Sequence, residues 1–384
     1  MEYIYLDNAA TTKVDPRVKK VVEDFLSECY GNPSSLHKMG RDSAHAVDEA
    51  RVKIAALIGA KEDEIIFTSG GTESDNLAIK GILEKNEGKH IITTTIEHPA
   101  IYNTCKYLEK HGYEVTYLPV DEFGMVDPTD FENEIKEDTV LASVIYASNE
   151  IGTIEPVKEL AAIAHDHDVL FHTDAVQAVG KMDIDVHKIG IDMLSLSGHK
   201  IHAPKGVGAL YVSNDVKLAP ILHGGGHERG IRSGTENVPG IIGLGKACEL
   251  LRTEMAGDIS HMKGLRDRLI SNITENIDKV KLNGHPTKRL PNNANFSFDA
   301  VEGESFVLHL DGKGIAASTG SACSSTELKP SRTLMATGCG EVEAHSSVRL
   351  TLCKFNTVEE IDKTLEIIPE IVNNLRMMSP LWEE

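Results

Sequence analysis

Residues 64–95 read EIIFTSGGTESDNLAIKGILEKNEGKHIITTT, and this stretch points to the fold class. The apolar run EIIFTS predicts a short buried strand, the glycine-rich turn opens a predicted helix, and HIITTT predicts the next strand. Strands that alternate with helices in this way are typical of a mostly parallel sheet with helices on its faces. The stretch therefore predicts an α/β fold.

The same alternation continues through EVTYLPV, TVLASVIYA and VLFHTDA, with a helix predicted at PVKELAAIAHDHD. After Gly190 the pattern changes to two strands joined by a polar loop, a helical stretch near residues 257–277, and short α and β segments. We therefore predict a large domain over residues 15–256 and a smaller α+β domain formed by residues 1–14 and 257–384.

The composition is that of a globular protein with a sizeable core, since 41% of the 384 residues are hydrophobic and 26% are charged. The formal net charge of −20 disfavours stable binding to nucleic acid or to an anionic membrane. The N-terminus has no basic segment followed by an apolar one, and no apolar run approaches the length of a membrane-spanning helix. We expect a cytosolic (cytoplasmic) protein.

The six cysteines show neither a CxxC pair nor the Cys/His spacing of a zinc site, so we predict no metal centre. Cys105 and Cys248 lie in apolar, helical contexts that predict core packing. Cys323 differs, because the surrounding ASTGSACSSTELKPS (residues 317–331) has few large apolar side chains with which to bury a thiol. Cys323 is therefore a candidate reactive thiol.

Polar residues at the carboxyl ends of the predicted strands form a candidate ligand site, because ligands of α/β sheets collect there. The turn SGGTESDN can offer the N–H groups and the positive end of a helix to a phosphate, although such turns are often purely structural. Asp174 and Gln177 follow one strand and share its rim. An alternative role for Asp174 is that of a helix N-cap.

Lys200 ends another strand beside Ser197 and His199, in surroundings that favour the neutral amine needed for imine formation. The alternative is an ordinary surface lysine. His98 closes a further strand just before Pro99, where a single histidine is often structural. Taken together, a phosphate cradle, a lysine, a carboxylate and a histidine are the groups that hold and tune pyridoxal phosphate.

Ten blocks follow one another almost from end to end of the sequence. They are LDNAATT (6–12), GNPSS (31–35), TSGGTESDN (68–76), IEHPA (96–100), SNEIGTI (148–154), HTDAVQ (172–177), SLSGHKIHAPKGVGALYV (195–212), RSGTEN (232–237), GSACSS (320–325) and HSSVRLTL (345–352). Together these blocks resemble the cysteine desulfurases of the NifS/IscS type. Those proteins are class-V aminotransferase-like enzymes of fold-type I that use pyridoxal phosphate, so the resemblance implies L-cysteine as substrate and L-alanine as product.

The resemblance implies roles for residues around the cofactor. Lys200 would carry it covalently, Asp174 would bind its ring nitrogen, and Gln177 would bind its phenolic oxygen. His98 would stack on the ring and help in proton transfer. Thr235 would reach the phosphate from a second subunit, which implies a homodimer. The other cofactor contacts would come from Gly71, Thr72, Asn149, Ser197 and His199.

For the substrate, the resemblance implies that Asn149 and Arg349 hold L-cysteine, with the planar fork of Arg349 on its carboxylate. Cys323 would take the sulfur as a persulfide for iron–sulfur cluster assembly on a scaffold protein of the IscU/NifU type. The tail LRMMSPLW (375–382) resembles the segment on which such a scaffold docks; the alternative is an ordinary exposed end.

Three alternatives remain open: a selenocysteine lyase, another class-V transaminase or lyase that does not need Cys323, and a non-catalytic scaffold-binding relative. The presence of Lys200 counts against the last. Cys339 and Cys353 stand where the family usually has an aliphatic residue and a glycine. They are either buried fillers or secondary sulfur acceptors.

Overall fold

The computed structural model describes residues 3–320 and 330–382. Short strands, as the apolar runs predicted, make up its sheets. The strands are β1 (Ile4–Tyr5), β2 (Ile65–Thr68), β3 (His90–Thr94), β4 (Glu114–Leu118), β5 (Thr139–Ser143), β6 (Leu170–Asp174), β7 (Met193–Ser197), β8 (Gly208–Val212), β9 (Val280–Asn283), β10 (Asn293–Phe298), β11 (Ile315–Ala316) and β12 (Ser347–Thr351).

Helices connect most of these strands. Within the described ranges, none of them combines the length and the apolarity that crossing a membrane requires. The helices are α1 (Pro16–Ser27), α2 (Lys38–Ile58), α3 (Gly71–Leu83), α4 (Pro99–Glu109), α5 (Pro128–Asn133), α6 (Val157–Asp166), α7 (Val186–Ile189), α8 (Val238–Asn276), α9 (Gly303–Gly312), α10 (Arg332–Ala336), α11 (Glu341–His345) and α12 (Val358–Met378).

A seven-stranded sheet in the order β2-β8-β7-β6-β5-β3-β4 forms the centre of the protein. Its strands from β7 to β4 run parallel, and β8 runs antiparallel to both of its neighbours. Side chains alternate between two cores, because Ile65 and Phe67 pack with α2 and α8 whereas Ile66 packs with α3 and α4. The predicted mostly parallel sheet flanked by helices is confirmed.

A smaller antiparallel sheet, β12-β10-β9, packs with α9 and α12 around a separate core that contains Phe296, Phe306 and Ile368. The strand β1 contributes Ile4 to the same core and pairs in parallel with β11. The first residues of the chain therefore pack with its last third. The domain limits themselves stay a prediction.

The helix predicted near residues 257–277 is longer than expected and begins at Val238, so residues 256 and 257 lie inside the continuous helix α8. Its first half is buried among other helices, and a Cβ atom on Gly245 would lie only 2.6 Å from Cβ of Ala50. Small residues used for close helix packing hide the amphipathic pattern there, which is why the sequence did not reveal the early start.

Two cysteines have the core environment that the sequence predicted for them. Cys105 and Cys248 are fully buried. Cys339 and Cys353 are 4% and 6% exposed, which favours their interpretation as buried fillers over that of sulfur acceptors. Cys323 lies outside the described residues.

Candidate active site

A cavity of 760 Å³ opens at the carboxyl ends of β6 and β7, where the sequence placed a ligand site. Thr235, predicted to act from a second subunit, is exposed and does not line the cavity of its own chain. The predicted site residues that do line it are Gly71, Thr72, His98, Asn149, Asp174, Gln177, Ser197, His199, Lys200 and Arg349.

The N-terminus of α3 forms one wall and is open to an anion. The N-cap residue, Gly70, has no side chain with which to accept from the first turn, so no side-chain cap pairs the N–H groups of that turn, and Gly71 and Thr72 line the cavity. The helix dipole adds partial positive charge at the same place. A Cβ atom on Gly71 would lie 2.7 Å from Val176 Cγ2, so these two residues fit one another closely. This wall suits a phosphate group.

Two carboxylates lie at the floor of the cavity. Asp174, at the end of β6, is 4% exposed, and its Oδ1 accepts from the N–H of Val176 at 2.9 Å. Asp75, one turn into α3, is 1% exposed, and neither of its oxygens has a hydrogen-bond partner among the described residues. Burial raises the pKa of both carboxyl groups, and their mutual repulsion raises that of Asp75 further. The pair therefore needs a positive partner to remain charged.

Such a partner is either the protonated ring nitrogen of a cofactor or a cation. Asp75, His98 and Asp174 each offer one atom, and these atoms lie within 4.8 Å of one another. The same cavity also contains the Lys200 amine, the Gln177 amide and the N-terminus of α3, none of which would help to bind a cation. Pyridoxal phosphate has a group for each of them, namely its carbonyl carbon, its ring oxygen and its phosphate. The residues present therefore fit that cofactor.

His98 is fixed by its place as the N-cap of α4, where its Nδ1 accepts from the N–H of Ala100 at 3.1 Å. Burial lowers the pKa of His98, so the neutral ring is favoured and carries its proton on Nε2. The preceding residue, Glu97, is buried behind it, and its Oε1 accepts from Thr94 Oγ1 and from the N–H of Ile145, both at 2.8 Å. Burial raises the pKa of Glu97 to about 8.

Lys200 follows β7 and is held by the N-terminal segment of the chain. Its Nζ donates to the main-chain oxygens of Ala9 at 2.6 Å and Ala10 at 2.7 Å. Gln177 Nε2 donates to the same oxygen of Ala9 at 2.9 Å. His199 lies beside this group, and burial, helped by the charge of Lys200, lowers its pKa to about 4. The amine is thus bonded to two main-chain oxygens and is close enough to Asp174 to interact with that carboxylate electrostatically.

Arg349, in β12, is 2% exposed and closes the opposite side of the cavity. Its Nη1 donates to the main-chain oxygens of Asn149 at 2.9 Å and Gly320 at 3.2 Å, and its Nη2 pairs with Asp7 at 2.8 Å. Its Nε has no partner within the described part of the chain. Both Nη atoms are thus already paired, which fixes the orientation of the guanidinium beside the cavity.

Sequence reasoning missed several residues that shape this site. Asp75 was recognisable, because it lies one helical turn after Gly71 and shares its face. Arg332 was not, because the sequence does not show that its guanidinium stacks 3.6 Å from the ring centre of Tyr102 at the cavity wall. Lys181 gave no signal either, since only the fold brings it under Gln177.

Comparisons with known proteins place this geometry in a family. The sequence matches the family described as aminotransferase class-V over residues 4–364. It is 54% identical to a protein named cysteine desulfurase IscS from Methanosarcina thermophila, over 98% of this chain and 94% of that one. The blocks quoted from the sequence thus belong to a similarity that runs nearly from end to end.

Solved structures agree. A NifS-like protein superimposes with a TM-score of 0.91 at 39% identity, covering 97% of this chain and 100% of that one. A second structure, described as SspA in complex with cysteine, gives a TM-score of 0.82 at 37% identity, covering 92% and 100%. These likenesses confirm the predicted NifS-like, fold-type I architecture.

Proposed function

The chain belongs to the class-V aminotransferase family and, within it, to the cysteine desulfurases, and we propose that it removes sulfur from L-cysteine with pyridoxal phosphate bound in the 760 Å³ cavity. The observation that carries the proposal is the convergence of Lys200, Asp174 and Arg349 on that cavity. They supply an amine for a carbonyl cofactor, a carboxylate for its ring nitrogen and a guanidinium for the carboxylate of an amino acid.

When bound, pyridoxal phosphate supplies a ring that accepts electrons from the α-carbon of an amino acid. Gly71 and Thr72, at the N-terminus of α3, would hold its phosphate together with Ser197 and His199. Asp174 would hold the ring nitrogen and keep it protonated, because a buried carboxylate stabilises a buried cation. Lys200, Gln177 and His98 would complete the cofactor site.

Around the substrate, Arg349 and Asn149 line the cavity and would orient L-cysteine through its carboxylate. His98 holds a proton at Nε2 and can pass it to a group in the cavity. Because Arg349 is locked by Asp7 and by two main-chain oxygens, it would present its guanidinium without a rotamer change.

The sulfur acceptor of the proposal is Cys323. Its thiol takes the sulfur of L-cysteine, so that Cys323 becomes a persulfide and L-alanine leaves, with no other oxidant or reductant needed. The persulfide then passes its sulfur to an iron–sulfur scaffold protein of the IscU/NifU type. Exposed apolar side chains in the tail support docking there, since Met377, Met378 and Leu381 are 76%, 68% and 62% exposed.

We also propose a homodimer in the cytosol. Leu26, Tyr30 and Leu36 are 65%, 70% and 90% exposed near α1 and α2, and a second subunit would cover such side chains. The exposure of Thr235 in one chain agrees with a role in the cavity of the other. The free state of all five cysteines in the described ranges agrees with a reducing compartment.

The test is release of alanine and sulfide from L-cysteine in the presence of a thiol reductant. We expect equal amounts of both from the wild type, neither from Cys323→Ser although it binds cofactor, and no turnover by Lys200→Ala. Cys29→Ser, which removes an exposed thiol elsewhere, is the matched control and should keep full activity. Full activity of Cys323→Ser would favour a class-V transaminase or lyase instead.

Two further arms separate the remaining alternatives. L-selenocysteine offered in place of L-cysteine tests the selenocysteine lyase, which would turn over the selenium substrate without Cys323. Assay after treatment with a chelator tests the metal interpretation of Asp75, His98 and Asp174, and we expect activity to persist.

A further inference from the structure

Lys181 is a buried lysine that the proposed chemistry leaves without a role. Only 6% of it is exposed, which is rare for a lysine without a carboxylate beside it. Its Nζ donates to the main-chain oxygen of Gln177 at 3.0 Å and lies 3.5 Å from the side-chain oxygen Oε1 of the same residue. Both of its hydrogen bonds thus go to one residue, and that residue lines the cofactor cavity.

The backbone is built to bring Lys181 back under Gln177. After β6 the chain forms a tight turn in which the N–H of Lys181 donates to the oxygen of Ala178 at 3.0 Å. Gly180 precedes it in the left-handed region, with φ of 77°, and a Cβ atom there would lie 2.9 Å from Leu251 Cδ1. A glycine is therefore required at this turn for both conformational and steric reasons.

The hydrogen bonds determine which way the amide of Gln177 points. A lysine ammonium can only donate, so it must face the oxygen of the amide. The main-chain oxygen of Ala9 can only accept, so it must face the nitrogen, and Gln177 Nε2 does donate to it at 2.9 Å. Lys200 Nζ donates to the same oxygen at 2.6 Å. A chain of contacts therefore runs from Lys181 through Gln177 and Ala9 to Lys200.

The charges around Lys181 allow it to act in this way. The groups that interact with it electrostatically are Lys200 and Cys353, and it acts in turn on His199 and His202. None of these is a carboxylate. Burial, with the charge of Lys200 as a second cause, lowers the pKa of Lys181 to about 7. A negative ring oxygen on the cofactor would favour its charged form.

We propose that Lys181 is a positioning residue that fixes the Gln177 amide with its oxygen turned away from the cofactor and an N–H turned towards it. Without Lys181, the amide oxygen loses its partner and only the bond from Nε2 to Ala9 still orients the amide, so the N–H is held less firmly in front of the ring oxygen of the cofactor. The inference rests on the proposed function, because it concerns binding of pyridoxal phosphate.

The test is a double-mutant cycle on the holoenzyme, with Lys181→Met, Gln177→Ala and the double variant. The dissociation constant of pyridoxal phosphate should rise about fivefold in Lys181→Met, as loss of one hydrogen bond of ordinary strength implies. In the Gln177→Ala background the same change should have almost no effect, because the group that Lys181 positions is gone. Lys85→Met, at an exposed lysine beyond the far end of α3, is the control and should leave the constant unchanged.

A second readout is the pH at which the visible absorbance of the bound cofactor changes by half. Loss of the Gln177 N–H and of a nearby cation both favour a proton on the Lys200 nitrogen, so the midpoint should rise by at least about half a unit in Lys181→Met. A role in packing alone would lower thermal stability without moving this midpoint.

The outcomes separate the two proposals. If the wild type binds no pyridoxal phosphate, the proposed function itself is wrong. If the wild type binds it and Lys181→Met has the same effect with and without Gln177, or no effect, the positioning role is wrong while the proposed function stands.

Discussion

Replacing Arg349 with lysine is the sharpest test of the substrate site. The guanidinium is 2% exposed, and the only nitrogen without a partner among the described residues is Nε. Lysine has no equivalent of Nε, because its single nitrogen lies further along the chain and would be drawn to Asp7 or to the main-chain oxygen of Asn149. Arg349→Lys thus keeps a positive charge but loses the planar fork, and with it the contact that Arg349 would make with the ligand carboxylate.

The expected loss follows from that one contact. A hydrogen bond between a charged donor and a carboxylate contributes about 1.5–3 kcal/mol, which corresponds to about 10- to 100-fold in affinity. Asp7→Asn should have the opposite effect on the affinity for a ligand carboxylate. It preserves the acceptor for Nη2 and removes a negative charge near the ligand carboxylate, so binding should tighten by about threefold to tenfold.

The assay is the change in cofactor absorbance when holoenzyme is titrated with L-alanine, the product, and with L-alaninamide, which lacks the carboxylate. Arg349→Lys should weaken the binding of L-alanine by the full 10- to 100-fold estimated above, and the binding of L-alaninamide by less than about threefold. Thermal unfolding checks that the variant is folded. Equal losses for both ligands would refute the reasoning and make Arg349 a structural residue.

Three further predictions follow from other parts of the structure. Burial raises the pKa of Glu155 to about 8, so stability is lost as pH rises from the ordinary glutamate value towards 8. In denaturant titrations the free energy of unfolding of Glu155→Gln, relative to that of the wild type, should therefore increase by on the order of 3 kcal/mol over that pH range. A relative free energy that does not change with pH would contradict this prediction. Gly71→Ala should weaken pyridoxal phosphate binding by overpacking against Val176, and Gly71→Ala/Val176→Ala should restore it in the same titration. Truncation after Met378 should weaken scaffold binding in pull-downs and preserve sulfide release; loss of both would make the tail structural.

The truncation point itself comes from the structure. A deletion from residue 376, which the sequence alone would suggest, removes Arg376, which is 4% exposed and donates to the main-chain oxygens of Asp278 and Asp299. Burial lowers the pKa of this guanidinium. Its loss would remove these partly buried hydrogen bonds and destabilise the smaller sheet region.

The strands and helices around the cavity were predictable because each is a short apolar run followed by a polar turn. Asp174 ends β6 and Lys200 closely follows β7, and neighbouring parallel strands bring their carboxyl ends together whatever the conformation of the loops. The start of α8 was not predictable, since its buried first half lacks an amphipathic pattern. The contact between Lys181 and Gln177 was not predictable either. It is made by a turn, and side-chain packing in a turn leaves no periodic pattern in the sequence.

The N-terminal segment LDNAATT shows best why local pattern is not enough. Asp7 pairs with Arg349, the main-chain oxygen of Ala9 accepts from both Lys200 and Gln177, and Thr11 Oγ1 bonds His199 Nδ1 at 3.2 Å. One short segment, which turns at residues 8–10, thus touches the substrate side and the cofactor side of the cavity, partly through main-chain atoms that have no residue signature. Since these contacts share a rigid backbone, a displacement at one of them moves the others. The segment therefore couples the position of the Arg349 guanidinium to that of the Lys200 amine. Sequence motifs considered one at a time do not show this coupling.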